Sequence, residues 1–426
     1  MVLIDTRGTA RHRVELDRSV PALLLKLGNY PLHHGGVGVV RSLGRCGVDV
    51  YAVTEGRFTP AACSRHLRGR FSWPTTGSED PAELAEGLHG IAKAIGRPAV
   101  LVPTDDEGAV AVSELSAEPG LSDDFLFPQC DDPGLPRRVA SKEGLFRVCA
   151  EHGIPTPLTR FPESLAEVEE YAAHGAFPVV VKSRDPFERH RHPTVRSSTV
   201  VETPDRLRAM ALDWDETPSV ILQEYVPRQT AEDWVVHAWW PGPGAPDEGT
   251  LFTGVKLRSW PPHAGFTTAG RARWNDELAG LARKLFDAVG FRGIADLDWR
   301  LDLRDGRYKL VDFNPRVGAQ FRLFEDEAGL DVVRAQHLAL TGRAAPRAAF
   351  PEGRAFVVED FDYAARFAYR GDRTDGPAPD GRPPSTERGW FALDDPLPVL
   401  PMLVGRATPV LQRFARTWVP RARKLR

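Results

Sequence analysis

Cysteine is scarce. Cys46, Cys63, Cys130 and Cys149 lie far apart and share no CxxC spacing, so the sequence suggests neither a disulfide framework nor a thiolate zinc site, and the four read as reduced thiols. Long apolar runs are missing as well. No uninterrupted stretch approaches the length that spans a bilayer, and the opening MVLIDTRGTARHRVELDRS is charged throughout where a secretory signal would be apolar. No integral membrane contact is expected, and the cytoplasm is the expected compartment. An excess of positive charge is also lacking. With a formal net charge of -3 and a pI near 6.5, the chain has no global basic field for duplex nucleic acid, which is not an expected partner. What remains is a chain of 426 residues, without internal repeats. Single cores rarely grow beyond about 250 to 300 residues, so two or three packed units are expected.

From Pro21 onward apolar and amphipathic segments alternate. ALLLKLG reads as a buried strand, NYPLHHGG as a turn, VGVVRSLGRCG as a short helix and VDVYAVT as a second strand. PAELAEGLHGIAKAIG fits a helix, AVLVPT a strand and EGAVAVSEL another helix. The first unit, residues 1–135, is therefore expected to be an α/β, Rossmann-like parallel sheet covered by helices. Its loop from Gly28 to Gly38 places Tyr30, Pro31, His33 and His34 between the glycines. That spacing departs from GxGxxG and argues against dinucleotide binding, leaving a tight turn or a helix N-terminus that faces an anion.

The turn-rich QCDDPGLP marks a boundary near 129–136. Beyond it SLAEVEEYAAHG and PDRLRAMALDW read as helices, and FPVVVKS and VILQEYVP as strands, giving a second unit over 136–345 of α+β character with a lid subdomain at 150–226. After Pro346 the chain turns Pro- and Gly-rich, and RGDRTDGPAPDGRPPSTERG reads as a loop or linker, so 346–426 is expected to be a C-terminal extension. It closes on PVLQRFARTWVPRARKLR, where Leu411, Phe414 and Trp418 share one helical face with arginines on the other. Such a tail more often packs on its own protein than on a membrane.

The segment GIADLDWRLDLRDGRYKLVDFNPRVG carries the most chemistry. It reads as a hairpin with a DG turn. Alternate residues of a strand share a face, so Asp296 and Asp298 point one way, as do Asp312 and Asn314 on the partner. Two short carboxylates and an amide carbonyl can thus converge, a set suited to magnesium, which takes one or two protein carboxylates and leaves its other positions to water and phosphates. Exposed aspartates paired with arginine would give the same pattern. Lys182 ends the apolar strand VVVK, and Lys142 opens a helix; either ammonium could reach phosphate oxygens. QEYVP offers backbone groups and Glu224 to the polar edge of adenine, and Asp233 begins the apolar run WVVHAWW within reach of a ribose hydroxyl.

This order of parts resembles the ATP-grasp superfamily, particularly its carboxylate–amine ligases related to carbamoyl-phosphate synthase and the D-aspartate ligases. The resemblance runs from Leu23 to Leu340 and includes PTDDE at Pro103 to Glu107. It implies a two-subdomain ATP-binding fold after the Rossmann-like domain. By matching positions it assigns Lys142 and Lys182 to phosphates, Glu224, Tyr225 and Val226 to the adenine hinge, and Asp233, or the neighbouring Glu232, to the ribose. It assigns Asp298, Asp312 and Asn314 to magnesium or manganese, with Asp296 open as the true ligand or a supporting residue. Arg316, in NPR, faces the transferred phosphate or acyl group. GVKLRSWPPHAGFTTAG resembles the substrate loop of such ligases, with Lys256 and Arg258 at a carboxylate or acyl phosphate and His263 more often structural than basic. One departure stands out: where the family has a glycine-rich loop after the strand-ending lysine, SRDPFERHRHPTVRSS has no glycine. Arg184, Arg189, Arg191 and Arg196, with His190 and His192, would cover the triphosphate by charge, or form a solvated basic loop.

The implied activity is activation of a carboxylate by ATP as an acyl phosphate and its joining to an amine, with an amino-acid-like substrate. The implied partners are small-molecule carboxylates and amines, and a homodimer is allowed. A thioester-forming enzyme or a kinase would use the same parts. So would an ATP-binding regulatory module without ligase activity, although such a module could lose its metal ligands without penalty.

Overall fold

The computed structural model describes residues 14–184, 195, 198–245, 249–262, 265–369 and 385–418, with no side chains described beyond Thr408. Arg189, His190, Arg191, His192, Arg196 and His263, and the side chains of Leu411, Phe414 and Trp418, lie outside the described residues.

The first unit is a parallel sheet of order β3-β2-β1-β4-β5, built from β1 (Ala22–Leu25), β2 (Val50–Thr54), β3 (Leu67–Ser72), β4 (Ala99–Pro103) and β5 (Phe125–Leu126). The central strand, ALLL, is buried along its whole length, as a parallel strand covered on both faces requires. Its helices are α1 (His34–Arg45), α2 (Pro81–Ile95), α3 (Asp106–Glu114) and the short α4 (Leu121–Asp124). Strand β3, LRGRFS, alternates half-buried with exposed residues and carries no apolar run that would announce it. The expected turn NYPLHHGG ends early, because α1 already starts at His34. Its glycines serve close packing: a Cβ on Gly38 would lie 2.9 Å from Phe321 Cε1.

The second unit has two antiparallel parts. After α5 (Leu135–Ala140) and α6 (Lys142–His152), the lid comprises β6 (Thr159–Arg160), α7 (Leu165–His174), β7 (Val179–Ser183), β8 (Thr199–Val201), α8 (Pro204–Ala211) and β9 (Val220–Glu224). Its sheet order is β6-β9-β7-β8. The central sheet follows, from β10 (Ala231–Trp240), β11 (Thr250–Trp260), β12 (Phe266–Ala272), β13 (Gly293–Asp302) and β14 (Arg307–Asn314), with α9 (Asp276–Val289) and α10 (Val332–Leu340). α9 brings Leu278, Ala282, Leu285 and Phe286 into one core with Val236, Trp240, Leu297 and Phe313. A second core joins α1 of the first unit to α10 and to Val235, Phe252 and Ile294 of this sheet.

Two further stretches complete the sheet. GVKLRSWPPHAGFTTAG, expected as a loop, is mostly the β11–β12 hairpin, with the prolines confined to its tip; alternating small and β-branched residues on long strands outweigh two prolines. Residues of the C-terminal extension return to the central sheet. β15 (Ala355–Val357) and β16 (Thr386–Arg388) extend the central sheet in the order β14-β13-β10-β11-β12-β15-β16. Then α11 (Glu359–Ala368) packs on β11 and β12, and α12 (Val399–Trp418) follows. Between β16 and α12, Asp395 is wholly buried against the first unit, accepting from Arg41 Nε at 2.9 Å, Ser64 Oγ at 2.7 Å and the Arg65 amide at 2.9 Å.

Candidate active site

The antiparallel register of β13 and β14 sets Asp298 opposite Asp312 and Asp296 opposite Asn314, with an irregularity just after Asp298. Each carboxylate of the first pair has its own ammonium group: Lys256 Nζ is 2.6 Å from Asp298 Oδ1 and Lys142 Nζ 2.5 Å from Asp312 Oδ1. Lys142 is held in place by the start of α6, where Ser141 caps the helix by accepting from the Gly144 amide at 3.0 Å. Burial pushes the Asp298 carboxyl up, opposed by Lys256. Burial acts on Asp312 in the same sense, but Lys142 and Lys182 outweigh it and hold that carboxyl below its ordinary range.

The donor set fits a magnesium ion. Among the described residues no group of three or more His, Cys, Asp or Glu side chains is arranged as a metal cage. Two facing carboxylates and one amide suit a hard cation that keeps positions for water and phosphate. Asp296 is otherwise engaged: its Oδ2 accepts from Arg316 Nη1 at 2.9 Å and its Oδ1 lies 3.2 Å from His237 Nε2, deep in the sheet. Asn314 Nδ2 donates to the Asp296 carbonyl at 3.0 Å. Arg316 also reaches Asp106 of α3, Nε to Oδ1, at 3.2 Å, which ties NPR to the first unit.

Lys182 Nζ donates to Gln223 Oε1 at 2.8 Å across the lid sheet. Burial, with the positive charge of Lys142, lowers its ammonium to about 8. Glu224, Tyr225 and Val226 follow Gln223 at once. Glu224 turns its carboxylate to Arg304 at 2.6 Å and Lys309 at 3.3 Å, so its side chain is tied into a basic cluster. Asp233 is clasped by Arg300, Nε at 2.7 Å and Nη2 at 3.1 Å, and the same guanidinium donates to the Val226 carbonyl at 3.2 Å. Lys182, Glu224, Tyr225, Val226, Asp233, Lys256, Arg258 and Asp298 all line one cleft of about 970 Å³, together with Tyr369 at the end of α11. Lys142, Asp312, Asn314 and Arg316 are outside that lining. Arg258 is buried and bonded to Asp362 of α11, at 2.7 and 3.2 Å.

Sequence reasoning missed Asp106, His237, Arg300, Asp362 and Tyr369. Asp106 had a signal, since DDE opens a helix beside the strand-end loop. The neighbouring Asp105 caps that helix, accepts from the Leu27 and Gly28 amides at 2.8 and 2.6 Å, and is raised to about 7 by burial, with Glu107 adding to the shift. His237 had none: it sits within WVVHAWW, where an apolar strand is the only pattern.

No family model matches the chain. A D-aspartate ligase from Enterococcus faecium (strain Aus0004) is 24% identical over 254 residues, 55% of this chain and 57% of that protein; the chain thus spans little more than half of this curated relative. Among solved structures, an N5-carboxyaminoimidazole synthetase from Staphylococcus aureus aligns with a TM-score of 0.60 at 11% identity, over 85% of this chain and 89% of that one. The same enzyme complexed with ADP aligns at 0.57 and 11% identity, over 81% and 82%. The biotin carboxylase domain dimer of Hydrogenobacter thermophilus 2-oxoglutarate carboxylase, in complex with MgADP and bicarbonate, aligns at 0.56 and 13% identity, over 80% and 74%. The fold is the ATP-grasp fold preceded by a Rossmann-like domain.

Proposed function

We propose that this chain is an ATP-dependent carboxylate–amine ligase acting on an amino-acid-like substrate. One observation carries the reading: Asp298 and Lys256 line the cleft that also receives Lys182 and the Glu224–Val226 stretch, and the register of β13 and β14 sets Asp312, with Lys142 on it, directly opposite Asp298 just beyond that lining. The nucleotide-bound relatives of the same fold and the D-aspartate ligase support it.

A free carboxylate is a poor acylating agent because its leaving group would be oxide. In the proposed reaction a substrate carboxylate oxygen attacks the γ-phosphorus of ATP, the bond to the bridging oxygen breaks, and ADP leaves an acyl phosphate. An amine nitrogen then attacks the acyl carbon, phosphate departs with its oxygen, and the nitrogen releases a proton. Phosphoryl transfer is catalysed mainly by positioning and charge neutralisation, so lysines and an arginine suffice without a serine or cysteine nucleophile. Lys142 and Lys182 meet the phosphates, Tyr225 and Val226 the adenine, and Asp233 the ribose. Arg316, braced by Asp106 and Asp296, faces the transferred group, while Lys256 and Arg258 border the acyl end. Asp298, Asp312 and Asn314 would hold magnesium, which supplies neutralisation of phosphate charge when bound.

The test is ADP release with single amino acids and Mg-ATP in hydroxylamine, which traps an acyl phosphate as a hydroxamate. ADP and hydroxamate appearing together for one acid support the ligase; amine pairs and product mass then identify the acceptor. ADP release with a phosphorylated acceptor and no hydroxamate from any acid would make the chain a kinase.

A further inference from the structure

Among its described residues, helix α12 is seated on the body by one face. Met402 is buried, a Cβ on Gly405 would lie 3.1 Å from Leu32 of the first unit, and Arg406 donates to Asp360 of α11 at 2.7 Å with its guanidinium 3.9 Å from the Phe361 ring centre. The opposite face is apolar. Leu400, Leu403 and Val404 are 52%, 54% and 52% exposed, and they are preceded by Leu393 at 90% and Leu397 at 52%. A helix that meets only water on its outer side places polar residues there, and contiguous exposed apolar patches mark interaction surfaces. The sequence continues the same spacing of three and four through Ala407, Leu411, Phe414 and Trp418.

Charge identifies the occupant. Every charged residue after Asp395 is basic, seven Lys and Arg with no Asp or Glu, in a chain whose formal net charge is -3. A second copy pairing through this segment would bring like charge against like, since the sequence after Asp395 offers no acidic residue. An anionic lipid surface complements both features, since leucines and aromatics enter the acyl boundary while Lys and Arg meet the headgroups. We propose that α12 is an in-plane membrane-docking helix that holds the catalytic body against an anionic bilayer. No helix among the described residues is long and apolar enough to cross a membrane, and the contact is peripheral and reversible.

Flotation of the full chain with vesicles tests this. Wild type is expected to float with phosphatidylcholine–phosphatidylglycerol vesicles at least about tenfold more than with phosphatidylcholine alone, and to be released by high salt. The variant carrying Leu400→Glu, Leu403→Glu and Val404→Glu is expected to stay in solution while keeping the wild-type melting curve and ATP consumption. Absence of wild-type flotation, or unchanged flotation of the triple variant, overturns the proposal. So does a lipid-free wild-type dimer that the three glutamates convert to monomer, because a second copy would then be the occupant.

Discussion

Asp298 and Asp312 face each other across β13 and β14, and the ammonium groups of Lys256 and Lys142 lie 2.6 and 2.5 Å from them. Two carboxylates held side by side on neighbouring strands repel one another, and each lysine removes that repulsion locally. Lys256 also lines the cleft, while Lys142 stands beyond its lining. On the proposed function, phosphates would take the lysines, and Asp298 and Asp312 would then hold the cation that accompanies the nucleotide.

Asp312→Ala is expected to lower turnover by about two orders of magnitude or more, the scale seen when one electrostatic stabiliser of a transition state is lost. The measurement is steady-state ADP release with cognate substrates. Near-normal ATP consumption would remove Asp312 from the metal site.

Removing divalent cations separates the structural from the catalytic role of the pair. Because lysines already neutralise both carboxylates, EDTA is expected to leave the melting temperature of the nucleotide-free protein unchanged. Mg-ATP should raise it, as any ligand that binds only the folded state does, while ATP with EDTA should raise it less. A large EDTA-induced drop without nucleotide would mean that the cation is a structural one.

Lys182 gives the clearest pH dependence. Its ammonium is lowered from 10.5 to about 8 by burial and by Lys142, so the free enzyme holds the charge below that value and loses it above. kcat/KM for ATP, which reports the free enzyme, should therefore fall as pH rises through about 8. Lys182→Arg keeps its charge throughout and should lose that step while the other titrations remain. The stability term has the opposite slope: between about 8 and 10.5 the unfolded chain holds a proton that the folded chain lacks, so this group's contribution rises with pH. A wild-type profile without a step near pH 8, or one unchanged in Lys182→Arg, would mean that Lys182 does not meet phosphate as an ammonium.

Much of this architecture was legible because it rests on local pattern. The apolar runs of β1, β7 and β9 and the alternation of β13 and β14 define their strands wherever they pack, and the DG turn fixes which carboxylates can share a face. Pairings between distant segments were not legible. Nothing in GVKLRSW announces that Arg258 will meet Asp362, 104 residues later, or that Asp395 will be enclosed by Arg41, 354 residues earlier. Glu224 shows the same limit: nothing in QEYV announces that the fold will bring Arg304 and Lys309 to its carboxylate.

The Arg41–Asp395 pair has no exposed side-chain surface, and it clamps the segment after β16 to α1. Asp395→Ala leaves a buried guanidinium without its carboxylate and two further donors without acceptors. The expected loss is about 3–5 kcal/mol, read as a lower urea midpoint with the dependence on urea preserved. If the midpoint moves by less than about 1 kcal/mol equivalent, the C-terminal segment is not part of the cooperative fold.

Gly318 tests whether Asp296 governs Arg316. A Cβ at this position would lie 2.2 Å from His237 Cε1 and 2.6 Å from Asp296 Cγ and Oδ2, too close for either side chain to stay where it is. Gly318→Ala must displace the carboxylate that bonds Arg316, and overpacking of this kind destabilises by about 1–3 kcal/mol. The functional effect should exceed what instability explains. A shift of about 1 Å in a positioned group can reduce turnover by about a hundredfold, so kcat is expected to fall by about ten- to a hundredfold below the melting transition, with KM for ATP little changed. Gly280→Ala is the control, because a Cβ there meets nothing within 4 Å and alanine stabilises a helix by up to about 1 kcal/mol over glycine. Normal kcat in Gly318→Ala would show that Arg316 does not depend on the His237–Asp296 contact.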